Sequence, residues 1–187
     1  MIEEPLLLDS ERHLLQSVAY EASPHCDERP AGMVVDTIII HGISLPPGEF
    51  GGDVIPHFFC GRLDFAAYPE LNWLREVRVS AHLLIRRDGE VIQFVPFDKR
   101  AWHAGVSSFN ERTQCNDFSI GIELEGTDAV PYEMIQYVRL AAVVRLLMRK
   151  YNAITHQRIV GHSDVAPGRK TDPGPHFNWD VLRGLIA

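Results

Sequence analysis

Lysine is scarce in this chain, three residues in 187, and the formal net charge is −7. Gripping nucleic acid or an anionic membrane by counterion release needs a basic surface, and no run of basic residues here exceeds two. Cysteine is almost as rare. Cys26, Cys60 and Cys115 are odd in number, far apart and without a C-x-x-C pair, which argues against a disulfide framework or a thiolate zinc site and for reduced thiols. Long apolar runs are missing too. Leu6-Leu7-Leu8 is too short for a signal-peptide core, and Glu3 and Glu4 stand where such a peptide carries positive charge. Nothing approaches the roughly 20 apolar residues of a transmembrane helix. The expected location is the cytoplasm.

The 45% hydrophobic content suits a globular chain with a real core. No repeat or linker divides it, so residues 1–187 are expected to form one domain, with 1–32 as a polar N-terminal segment packed on the core. "MVVDTIII" (33–40) is β-branched and predicts a strand ending on His41, and the proline and glycine of 42–52 predict a loop. A short helix is predicted over 68–77. Two antiparallel strands are expected about Asp88-Gly89, where both turn positions favour positive φ. Residues 118–126 alternate: Phe118, Ile120, Ile122 and Leu124 share one face, and Ser119, Gly121, Glu123 and Glu125 the other. Tyr137, Leu140, Ala141, Val144, Leu147, Met148 and Tyr151 keep three-and-four spacing, predicting a core-covering helix over 131–151 with Pro131 in its first turn. "RIVGH" predicts a strand delivering His162, and "FNWDVLRGLI" a closing helix capped near Asn178. Hairpin and crossover connections together predict an α+β (α/β-like) fold, a single central mixed sheet flanked by helices.

Chemistry is expected where polar residues end strands. His41 and His162 each close one, and Asp172 follows in a proline-rich loop. Two imidazoles and a carboxylate suit zinc, leaving a fourth position for a water whose pKa such an ion lowers to about 7. Glu123 is a candidate proton shuttle, although Glu125 shares its parity and spacing does not choose between them. Lys170 is a candidate oxyanion stabiliser. The same residues also admit plainer roles: a buried histidine, a turn aspartate, a solvated lysine.

The segments "SLPPGEFGG", "RVSAH", "LIRRDGE", "VPFDKRAWHAGVS", "CNDFSIGIELEGTD" and "GHSDVAPGRKTDPGP", spread over about residues 34–175, closely resemble the zinc amidase family related to phage lysozyme and the peptidoglycan recognition proteins. The similarity is greatest to its cytoplasmic members that act on 1,6-anhydro-muropeptides. The resemblance implies zinc held by His41, His162 and Asp172, with Glu123 and Lys170 catalytic, and so selects Glu123 over Glu125. It implies a muropeptide substrate from cell-wall recycling, cut between the lactyl group of 1,6-anhydro-N-acetylmuramic acid and L-alanine, in a system that relatives couple to β-lactamase induction. No nucleic acid, membrane or obligate protein partner is expected. Arg78, Trp102 and His103 are candidate substrate contacts, through carboxylate pairing and sugar stacking. His57, His82 and His176 are expected to be structural, and Asp164 to turn the loop rather than bind metal. Two departures stand out. Gly42 follows the first ligand histidine where the family has asparagine, and Gln114 replaces an arginine; substrate contacts, not zinc binding, are expected to differ. A non-catalytic muropeptide-binding module is the main alternative, but such members usually lack part of the ligand set. A periplasmic hydrolase of intact murein would need a signal sequence.

Overall fold

The structure is a computed structural model describing residues 6–187; the first five residues of the N-terminal segment lie outside the described ones. Six strands make one mixed sheet: β1 (Ala19–Tyr20), β2 (Thr37–Ile43), β3 (Leu83–Ile85), β4 (Val91–Gln93), β5 (Ser119–Glu125) and β6 (Ile159–Gly161). Their order is β6-β2-β5-β3-β4-β1. β6, β2, β5 and β3 are parallel neighbours, β4 runs antiparallel to β3, and β1 is parallel to β4. This is the α+β arrangement that the pattern of hairpins and crossovers predicts. Among the described residues no helix is long and apolar enough to cross a membrane.

β2 and β5 occupy the centre and are mostly buried on both faces, apolar toward the helices and carrying small or polar residues on much of the other face. The first helix, α1 (Val54–Phe59), packs with Leu84 and Ile92, whereas Ile38, Ile40, Ile120, Ile122 and Leu124 pack beneath the helices α2 (Met134–Lys150) and α4 (Trp179–Ile186). Each fully buried Leu or Ile there contributes about 1.5–3 kcal/mol relative to exposure. Ile39 points the other way, onto Ala104, Cys115 and Val165. His41 follows the parity of Ile39, and Glu123 that of Gly121, so both leave the helix-covered face. The N-terminal segment is tied to the base of β5 by Arg29, whose guanidinium donates to the carbonyls of Asn116, Asp117 and Ser119 at 2.9–3.0 Å.

Several local expectations shift. β2 begins at Thr37, where pairing with Ser119 starts, and runs on through His41 to Ile43. Phe118 joins the Ile39 cluster instead of the helix-covered face, because it ends a 3-10 turn (Cys115–Asp117) before the strand's alternation begins. At the hairpin only Gly89 takes positive φ (88°), with Gly89 N–H donating to Arg86 O, so the turn is not the two-residue mirror-image type. Pro131 precedes the helix, which starts after Glu133; the Gln136 side chain accepts from the Glu133 N–H and donates to the carbonyls of Ile85 and Glu125. The closing helix is capped as expected, Asn178 accepting from the N–H groups of Asp180 and Val181.

Candidate metal centre and active site

Parallel register sets His41 of β2 beside Glu123 of β5. β6 stops at Gly161, and His162 opens a one-turn helix, α3 (His162–Val165), instead of ending a strand. The chain then loops back until Ser163 N–H donates to the Asp172 carbonyl at 2.9 Å. Three atoms converge as a result. His41 Nδ1 and His162 Nδ1 are 3.0 Å apart, and Asp172 Oδ2 is 3.1 Å from each. Ligands bound to one ion at 2.0–2.2 Å in a tetrahedral shell stand about 3.3 Å or slightly more apart, so the triangle needs only a small expansion to fit a metal.

Hydrogen bonds behind the triangle decide which ring nitrogens carry protons. Nε2 of His162 faces the Ala104 carbonyl at 3.2 Å, and a carbonyl only accepts, so Nε2 carries a proton and in the neutral ring Nδ1 keeps its lone pair. The His41 side is set by a longer relay. Ser119 Oγ–H donates to the Cys115 carbonyl, which leaves Ser119 Oγ to accept from His103 Nε2–H at 3.3 Å. His103 Nδ1 must then accept from His41 Nε2–H at 2.9 Å, and His41 Nδ1 is left bare toward the triangle. Partners of this kind orient metal-bound histidines and raise their basicity.

The ionisation pattern agrees. Burial pushes His41 down to about 4, overriding the pull of Asp172, so its imidazole is neutral at pH 7. Burial on its own would raise Asp172, but contact with His162 and then His41 outweighs it and holds the carboxylate far below its usual range. An ordinary ion pair would have raised the histidine. Here a charged carboxylate and neutral imidazole nitrogen converge on one point, which is what a cation requires.

His41, His162 and Asp172 line a cavity of about 410 Å³ together with Glu123 and Lys170. Burial, and then the charge of Asp172, push the Glu123 carboxyl well above the usual range, with Lys170 opposing. Its Oε2 is buried and has no hydrogen-bond partner among the described residues.

Residues 31–175 match the family described as N-acetylmuramoyl-L-alanine amidase. The chain belongs to this amidase family. It is 56% identical over 165 residues to the 1,6-anhydro-N-acetylmuramyl-L-alanine amidase AmpD of Salmonella typhimurium (88% of either chain), and 47% identical over 172 residues to that of Haemophilus influenzae (92% of this chain, 94% of the other). A selenomethionine AmpD crystal structure superposes with a TM-score of 0.92 at 52% identity, covering 97% of this chain and 99% of that one. Escherichia coli AmiD in complex with anhydro-N-acetylmuramic acid-L-Ala-D-gamma-Glu-L-Lys superposes at 0.57 with 27% identity, covering 98% of this chain and 66% of AmiD.

In this amidase the other candidate residues are sorted by what they touch. His103 lines the cavity, but both ring nitrogens are engaged, by His41 and Ser119, so it orients His41 and has no donor left for substrate. Gly121 makes this possible: a Cβ there would lie 2.4 Å from the His103 ring. Trp102 does not line the cavity; its Nε1–H donates to Asp27 at 3.1 Å, and its ring stacks on His25. Arg78 is exposed, donates to the carbonyls of Arg75 and Val77, and borders a separate pocket of about 190 Å³. Gln114 is exposed in a left-handed turn away from the cavity, whereas Gly42 lines it. Asp164 accepts from Gly161 N–H at 2.7 Å and stays outside the triangle. Trp73, which no sequence motif singles out, also lines the cavity and is 65% exposed. A lone tryptophan in a predicted helix gives no sign of which way it faces.

His82 is structural, accepting from Gly121 N–H and donating to the Lys99 carbonyl. Burial, and then the Arg29 charge, push it down to about 3. Unfolded histidine titrates near 6.5, so the unfolded chain takes up a proton that the native state refuses as pH falls. Stability should therefore be complete above about pH 6.5 and drop by up to about 1.4 kcal/mol per unit toward pH 3 from this residue alone. Urea midpoints measured at pH 7, 5.5 and 4.5 test this; a flat profile would contradict it.

Proposed function

We propose that this amidase is a zinc enzyme of cell-wall recycling that hydrolyses the amide between the lactyl group of 1,6-anhydro-N-acetylmuramic acid and L-alanine. The observation that carries the reading is the convergence of His41 Nδ1, His162 Nδ1 and Asp172 Oδ2 in one cavity with Glu123, their lone pairs turned inward. The substrate class is supported by the names of the relatives and by the ligand of the AmiD complex. Three unpaired thiols, at Cys26, Cys60 and Cys115, fit a reducing compartment such as the cytoplasm.

His41, His162 and Asp172 would hold the ion, whose chemistry is Lewis acidity toward the scissile carbonyl and toward the attacking water. Glu123 takes the water's proton and returns it to the departing alanine nitrogen. The carbonyl carbon gains an oxygen, the C–N bond breaks, and a lactyl acid and a free amine result. The Lys170 ammonium, which lines the same cavity, offsets negative charge on the carbonyl oxygen as it develops. Release of L-alanyl peptide from an anhydro-muropeptide, followed before and after chelation and after zinc is restored, tests the whole reading. Undiminished release from metal-free protein would refute the zinc role, and no release from zinc-loaded protein would refute the substrate.

The anhydro-sugar is neutral once its lactyl carboxyl is an amide, and its ring has apolar faces. Part of the cavity lining is correspondingly apolar, Leu45, Phe58, Leu74 and Val79 lining it together with Trp73. Trp73→Ala is expected to raise KM about 3- to 10-fold with kcat nearly unchanged, the range for loss of one aromatic contact. Substrate titrations with both proteins check this, and an unaltered KM would remove Trp73 from the sugar site.

A further inference from the structure

His41 is held in the centre of the sheet, while Asp172 is carried by a loop of proline and glycine. The spacing of these two groups is bridged by one side chain. Tyr132, just before α2 and 7% exposed, donates its hydroxyl proton to the carbonyl of Pro173, the residue after Asp172, at 2.9 Å. On its way it crosses Gly42, the residue after His41. A Cβ built on Gly42 would lie 2.2 Å from that hydroxyl oxygen, and one on Gly126 would lie 2.4 Å from the ring. The ring is thus confined between two glycine backbones, and Phe177 meets it edge-on at 5.6 Å. The hydroxyl occupies the volume that any side chain at position 42 would need, and it cannot move aside without giving up Pro173.

We propose that Tyr132 is a positioning residue for the metal centre: a strut that sets the distance between His41 and Asp172, with Gly42 as the notch that admits it. The inference rests on the metal-centre reading, and it gives the Gly42 departure a physical reason. The hydroxyl of Tyr132 and a side chain at position 42 compete for one space. This chain gives the space to the hydroxyl.

Zinc affinity, measured by competition with a chromophoric chelator, tests this on the wild type, Tyr132→Phe, Gly42→Ala and the double variant. Loss of the Pro173 hydrogen bond should weaken zinc binding about 10- to 100-fold in Tyr132→Phe, the range for groups that orient ligands. Gly42→Ala should weaken it comparably by displacing the hydroxyl. In the double variant the colliding oxygen is gone and the nearest ring atom lies 3.5 Å from the new methyl, so its affinity should match Tyr132→Phe instead of compounding both losses. Unfolding midpoints of the metal-free proteins distinguish lost ligand geometry from lost fold: a fold defect lowers the midpoint of Gly42→Ala without rescue by Tyr132→Phe. Wild-type affinity in Tyr132→Phe, or losses that multiply in the double variant, would overturn the strut. A wild type that takes up no zinc would instead overturn the metal reading beneath it.

Discussion

Glu123→Gln is expected to lower kcat by about 10²- to 10⁴-fold while leaving zinc content unchanged. The substitution is nearly isosteric and removes only the ability to take and return a proton. Glu123 stands in register with His41 on the neighbouring strand, so the sheet holds it beside the His41–His162–Asp172 triangle. One of its oxygens is buried without a partner. A buried acceptor left unpaired costs about 1–3 kcal/mol, a cost that a purely structural glutamate would have no reason to bear. Glu125, two residues on, behaves differently. Its carboxylate accepts from the backbone N–H groups of Gly51 and Arg87, so it ties the Gly51 loop to the hairpin at Arg87. The kinetic comparison is therefore between the glutamates: Glu125→Gln keeps an acceptor for one of the two amides and touches no proton transfer, so its kcat should fall far less than that of Glu123→Gln. Equal kcat for Glu123→Gln and the parent would mean that another group moves the proton.

Asp172→Asn should reduce zinc affinity by more than about 100-fold, whereas Asp164→Asn should leave it intact. Loss of a group that merely orients a ligand is already worth 10- to 100-fold, and Asp172 is proposed as a ligand itself. The substitution also removes the only carboxylate of the triangle, leaving two neutral imidazoles to hold a divalent cation. Asp164 lies two residues from His162, but its carboxylate faces its own turn and accepts from Gly161 N–H, which an asparagine oxygen can also do. Metal analysis after dialysis against a weak chelator separates the two. Zinc retained by Asp172→Asn and lost from Asp164→Asn would reverse the assignment of this loop.

The residues of the proposed reaction were legible because their signals are short-range. The alternation of 118–126 separates Glu123 from the apolar face, and motif likeness names His41, His162, Asp172 and Lys170. The proposed substrate contacts were legible only as residue types. Arg78, Trp102 and His103 have suitable chemistry, yet Arg78 bonds to its own turn, Trp102 pairs with Asp27, and His103 is engaged on both nitrogens. Nothing within a few residues of Trp102 or Trp73 tells which of them faces the cavity, because that depends on partners far along the chain.

What the sequence by itself determined is the alternation that makes a buried sheet, the spacing that makes α2, and the residue types able to hold a metal. These follow from periods of two and 3.6 residues and from side-chain chemistry, all local properties. Only the tertiary structure decided the rest. The ring nitrogens of His41 are assigned by a relay ending at Cys115, 74 positions away in the chain, and His41 and Asp172 are bridged by Tyr132, which lies between them in sequence but local to neither. Such contacts depend on how the strands and loops come together in space, and no local pattern records that.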